Sequence, residues 1–213
     1  METDMLIETL AHDVRPVPRR AVERRMAGAL ATGGLVAVAI IPMTIGLRDD
    51  LAAALAGGTF WMKLIYTLAL ALGGTAAAIG LARPDAPRPR GLWLLSVPVL
   101  LMAGLSAHEL LATPATEWMA LVKGESWDRC ALNILLLALP IFVAGLWAFR
   151  RFAPTRLRLT GAMAGLAAGG LSATLYGLHC PEASATFVLL WYSLGIAVAT
   201  LGGWLTGPRL LRW

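Results

Sequence analysis

The chain has 213 residues, 58% of them apolar and 15% charged, against roughly 45–50% and about 25% in an average soluble protein. That balance excludes a water-soluble enzyme domain and makes the bilayer the expected surroundings, with the formal net charge of +5 gathered in short segments between apolar runs. Two cysteines cannot build a disulfide scaffold, and no long basic block offers a nucleic-acid surface, so no direct nucleic-acid binding is expected.

Residues 1–25 form a charged head. Thr3 and Asp4 offer an N-cap, and Met5, Leu6, Ile7 and Leu10 put an apolar stripe on a short helix that Glu2, Glu8 and Asp13 keep soluble. Arg15, Pro16, Pro18, Arg19 and Arg20 follow. A helix of about ten residues is marginal alone, so it is expected to fold on a cytoplasmic partner, the plain alternative being a frayed terminus.

Six uncharged stretches come next, at 26–47, 64–82, 91–108, 130–149, 159–181 and 183–208. Each can cross a bilayer, which takes about 20 apolar residues, range roughly 17–25. The fold class predicted is an all-α membrane protein, a six-transmembrane-helix bundle over 26–208 with short loops and a tail at 209–213. Alternating sides puts 14 basic residues with segments 1–25, 83–90, 150–158 and 209–213, and leaves four, Arg48, Lys63, Lys123 and Arg129, opposite. The positive-inside rule then places both termini in the cytoplasm. Trp61, Trp118 and Trp127 fall near the outer boundary and Trp93, Trp147 and Trp204 near the inner one, as interfacial rings do.

Pro42, Pro98 and Pro140 are expected to kink their spans. Gly161, Gly165 and Gly169, and again Gly195, Ala199 and Gly203, recur every four residues. Such faces pack helices closely, most simply helix five on helix six, or else as a homodimer contact. No Asp, Glu, Lys or Arg falls inside a run, which speaks against a pump or an ion-coupled transporter.

No catalytic motif is present, so no catalytic residue and no enzyme are expected. The topology brings Cys130, at the outer start of helix four, and Cys180, at the outer end of helix five, to one depth. Asp128 and Arg129, His179 and Glu182, and His108 with Glu109 lie nearby. Two thiolates with His179 or His108 suit Cu, Zn or Cd as a transient metal site, while two thiols alone could close a disulfide. Neither needs an obligatory cofactor, and each Cys taken singly is a small apolar residue at a helix end.

Several motifs carry a family resemblance over nearly the whole chain: Thr3 to Leu10, Arg48-Asp49-Asp50-Leu51, Phe60-Trp61-Met62-Lys63, Arg83-Pro84, His179-Cys180-Pro181-Glu182 with Phe187, Trp191-Tyr192 and Gly195, and the ending Gly207 to Trp213. The chain resembles the NrsF family of membrane anti-sigma factors, negative regulators of sigma F. The resemblance implies an inner-membrane protein that holds an extracytoplasmic-function (ECF) sigma factor inactive and releases it under heavy-metal or related stress, with Cys130 and Cys180 as sensors. The sigma factor as partner comes only from this resemblance. The rivals are a membrane thiol oxidoreductase, which would lack the usual Cys-x-x-Cys, and a small metal transporter, which would lack charged intramembrane residues.

Overall fold

The computed structural model describes residues 2–12, 20–83, 91–150 and 152–212, and in them every regular element is a helix. Helix α1 covers Glu2–His12. Because it begins at Glu2, Thr3 and Asp4 lie inside its first turn and are not its N-cap. Asp13, Arg15, Pro16, Pro18 and Arg19 lie outside the described residues, as does the side chain of Leu10. Helices α2 (Ala21–Thr44), α3 (Leu51–Ala56) and α4 (Gly58–Leu81) follow, then a 3-10 turn at Leu92–Leu95 that runs into α5 (Ser96–Ala112). Pro98 falls in the first turn of α5, where a missing N–H costs little. Pro42 and Pro140 lie inside α2 and α7. After a 3-10 turn at Ala115–Glu117 come α6 (Trp118–Lys123), α7 (Trp127–Phe149) and α8 (Leu157–Tyr176). The last long helix is continuous: α9 (Ala185–Phe187), a π turn at Val188–Tyr192, and α10 (Ser193–Leu210).

Five stretches are long and apolar enough to cross a membrane: Ala21–Thr44, Gly58–Leu81, Leu92–Ala112, Ala115–Phe149 and Ala185–Leu210. Exposed Leu35, Leu72, Leu100, Leu101, Leu136, Val143 and Leu205 lie on these helices. So much exposed apolar surface is what lipid, and not water, accommodates. The sixth expected span, 159–181, is not among the five. Its helix, α8, is rich in Gly, Ala, Ser and Thr, and 14 of its residues are buried, so protein surrounds it where a lipid-facing helix would need larger apolar side chains.

Helix α8 packs on α10, α4, α7 and α2. Its glycine stripe makes this possible: a Cβ on Gly161 would run into the Gly203 carbonyl and come within 2.8 Å of Gly207 Cα, and one on Gly165 would run into the Ala199 carbonyl. The small-residue faces at 161–169 and 199–203 thus meet each other between α8 and α10. Gly195 instead faces Ile134.

Contacts define two ends. At one, Arg83 bridges Glu23, Arg25 lies over Trp147, Arg158 lies over Trp204, and Arg150, Phe152, Arg209 and Arg212 line one hollow. In the tail Leu211 is buried while Arg209, Leu210 and Arg212 are exposed. At the other end the loops near residues 46–50, 118–126 and 177–184 meet the start of α4 and the end of α5. Three exposed tryptophans belong to each end, as expected.

Candidate functional site: a capped pair of cysteines

Cys130 and Cys180 are both fully buried in the same core at this second end. Ser126 lies between their elements: its Oγ is 3.9 Å from Cys180 Sγ, and its carbonyl accepts the Cys130 amide at 3.0 Å. Tyr176 and Tyr192, stacked at 5.7 Å and fully buried, complete the surroundings. The Tyr176 side chain neighbours Cys130 and the Tyr192 side chain neighbours Cys180, yet neither hydroxyl reaches hydrogen-bond geometry. The π turn, which widens the helix by one residue, sets Tyr192 inward while Trp191 donates its indole N–H to the Val122 carbonyl at 2.7 Å and stacks on Trp127.

Residues 177–184, which carry Cys180, form a cap of irregular chain at this end of the bundle. Glu182 ties it to the turn after α6: one carboxylate oxygen accepts the backbone N–H groups of Glu125 and Ser126, at 2.7 and 3.1 Å, and the Ser126 hydroxyl at 3.1 Å. That turn depends on Gly124, whose φ of 51° is a left-handed conformation and whose Cβ, if it had one, would stand 2.5 Å from Glu182 Oε2. Glu109, from α5, caps the start of the last helix by accepting from Ser184 Oγ, Ala185 N, Thr186 N and Thr186 Oγ1 between 2.7 and 3.2 Å. Its negative charge at a helix N-terminus also suits the helix dipole. His179 donates its Nδ1–H to the Gly46 carbonyl at 2.9 Å and leans on Tyr176.

Two cations reach into the cap. Arg48 makes a two-pronged pair with Asp50, at 2.6 and 2.7 Å, and donates to the Cys180 carbonyl at 3.3 Å. The Arg48 guanidinium holds the Asp50 carboxyl below the usual carboxylate range. Lys63 donates to the Cys180 carbonyl at 3.0 Å and to the Glu182 carbonyl at 2.6 Å, and is only 3% exposed. Since α4 starts at Gly58, Lys63 is in its second turn. The expectation that no ionisable residue enters a span fails here, because a charge was taken as the end of each run.

Among the expected site residues, the two thiols come together and His108 does not join them, being exposed on α5. No group of three or more His, Cys, Asp and Glu able to hold a metal occurs among the described residues. The cap therefore offers a dithiol and not the four-ligand set of Cys130, Cys180, His179 and His108, whose second imidazole lies on the wrong face. Pro181, Glu182, Trp191 and Tyr192 all belong to the cap or its walls. Met5, Leu6 and Ile7 lie 59% to 62% exposed on α1.

A family model described as "NrsF: Negative regulator of sigma F" matches residues 10–213. The chain belongs to the NrsF family. It is 42% identical to the "Anti-sigma-F factor NrsF" of Caulobacter vibrioides and 37% identical to the "Probable anti-sigma-F factor NrsF" of Azospira oryzae, each match covering 100% of both chains. No solved structure matches. A family of regulators speaks against an enzyme.

Proposed function

We propose that this NrsF-family chain is a multi-pass inner-membrane anti-sigma factor that binds an ECF sigma factor at its arginine-rich, cytoplasmic end and releases it when Cys130 and Cys180 respond to heavy metal or oxidant outside. In this reading α8 spans with the other five helices, both termini are cytoplasmic, and Met5, Leu6, Ile7 and Leu10 anchor the sigma factor. The observation that carries it is a division of labour: a buried thiol pair held in one core, and an apolar stripe on α1, Met5, Leu6 and Ile7, that lies exposed. A sensor needs the first and a docking module the second.

The chemistry favours a dithiol event. Either a soft ion such as Cu, Zn or Cd bridges the two sulfurs, or an external oxidant takes two electrons and two protons as they form a disulfide. Both require the cap to move, because sealed thiols meet neither reagent. The test is copurification of a sigma factor with the full chain from membranes, with and without cadmium or a thiol oxidant. Cys130→Ser and Cys180→Ser should retain the partner and ignore both stimuli, the double variant matching either single one. A full response in a single variant returns the cysteines to packing; no sigma factor in any eluate removes the partner assignment.

A further inference from the structure

Lys63 is the one buried cation in the bundle among the described residues, and neither docking nor thiol chemistry uses it. An ammonium out of water must be paired or amply hydrogen-bonded. No carboxylate lies within ion-pair distance of it among the described residues. Its partners are two carbonyls of the cap, those of Cys180 and Glu182, on either side of Pro181. Its own helix turn is anchored to the bundle: Thr67 Oγ1 donates to the Lys63 carbonyl at 2.9 Å and accepts from Thr174 of α8 at 2.8 Å. Lys63 therefore connects a fixed floor to an irregular cover.

We infer that Lys63 is a positioning residue that pins residues 180–182, and with them Cys180 itself, against the bundle and so sets how readily Cys180 and Cys130 are reached. The carbonyls at 180 and 182 belong to no helix, and without the ammonium the Glu182 carbonyl loses its only donor among the described residues while that of Cys180 keeps the longer contact to Arg48. Closure and opening are both served by one group. Shut, the ammonium gathers two carbonyl dipoles; open, it regains the water that burial denied it, so the cap is held without being locked. Glu182 acts from the other side, through its side chain on the turn at 124–126, so one residue of the cap is gripped at both its carbonyl and its carboxylate.

The inference rests on the cysteine-sensor reading for its meaning, but its test needs neither sigma factor nor metal. Full-length protein in membrane vesicles is exposed to a membrane-impermeant maleimide from the side of the cap, and labelling of Cys130 and Cys180 is timed. Lys63→Met should label about tenfold faster than the natural chain, the scale of one lost charged hydrogen bond. Lys63→Gln, which keeps a donor without the charge and is the milder change, should fall between. A general loosening is separated from cap opening by Ala138→Cys in the Cys130→Ser, Cys180→Ser background, which reports the middle of the buried α7 face. Its labelling should not rise with Lys63→Met or with Lys63→Gln. Unchanged thiol labelling in both Lys63 variants, or equal acceleration at position 138, overturns the inference, whatever the sigma-factor experiment shows.

Discussion

Glu109 offers a direct measure of how the cap secures α5. This helix meets the rest of the bundle mostly at its two ends, since clefts of about 540 and 400 Å³ lie along its flanks, walled by Leu95 and Val99 on one side and Val97, Leu101 and Leu105 on the other. Its end near the cap is tied by four hydrogen bonds to one carboxylate, plus a buried contact from Ser106 to Thr186. Glu109→Gln keeps the shape but turns one acceptor oxygen into an NH₂ that faces donors. The amide settles best with its NH₂ in the place of Oε1, so the bond from Ala185 N is lost or repelled and the three bonds at the other oxygen lose their charge. At about 1.5–3 kcal/mol for the lost bond to a charged group, with the weakening of the others counted as less than additive, the cost is roughly 2–4 kcal/mol. The assay is labelling of Met102→Cys, a position 2% exposed where α5 meets the core, in a Cys130→Ser, Cys180→Ser background. If labelling proceeds through an open state at equilibrium, that cost raises the rate by roughly 30-fold to 1,000-fold, tenfold for each 1.4 kcal/mol. A rate within about threefold of the parent, under 1 kcal/mol, would show that α5 is held by its lipid-side packing and not by this cap.

Other consequences are simpler to check. Gly165→Val should force α8 and α10 apart, costing about 1–3 kcal/mol and lowering the melting temperature in detergent; a changed oligomeric state at unchanged stability would instead favour the dimer face. Because Arg48 depresses the Asp50 carboxyl, the pair's contribution is present above the ordinary carboxylate value near pH 4 and is lost as pH falls through the lowered folded value. Asp50→Asn should therefore flatten that part of a stability-versus-pH curve, and an unchanged curve would remove the pair from the cap's balance. A reporter active only outside the cytoplasm, fused after Trp213, should be silent; activity there would reverse the two ends.

Charge placement made most of the architecture legible before any coordinates. Runs without charge marked the helices to within a few residues, and their alternation put Cys130 and Cys180 at one end although 50 positions separate them. The same device hid Lys63. Treating each charge as a boundary puts every buried charge outside a helix by construction, and only the cap carbonyls, which belong to the fold and not to the local sequence, make Lys63 tolerable inside. His108 stands apart from the thiols for a related reason. Each residue turns a helix by about 100°, so knowing that His108 ends a helix does not say which way it faces. For α8 the signal was present: glycine every fourth residue with little bulky apolar surface is how a helix surrounded by other helices differs from one facing lipid.

If the thiols report to the docking helix, the message must cross the bundle, and the packing offers a specific carrier. Cys130 is on the first turn of α7, and α7 packs along α2, whose N-terminal side leads toward α1. The two helices touch closely where Gly33 meets α7 beside Pro140: a Cβ there would stand 2.6 Å from Ile141 Cα and 2.9 Å from the Pro140 carbonyl. Beyond it, Arg25 of α2 lies over Trp147 of α7 at 5.9 Å. A shift of α7 at its thiol end thus has no slack to absorb it before reaching α2, since backbone lies against backbone with no side chain between them to yield. Proximity alone does not establish a path; coupling energy does. Gly33→Ala and Cys130→Ser, singly and together, should be scored by the fraction of sigma factor retained under cadmium. Should α2 and α7 carry the signal, the double variant departs from the sum of the singles by about 0.5–3 kcal/mol in apparent release free energy. Additivity within about 0.3 kcal/mol, with both proteins at normal levels in the membrane, would mean that release travels by another helix and that the close contact at Gly33 serves packing only.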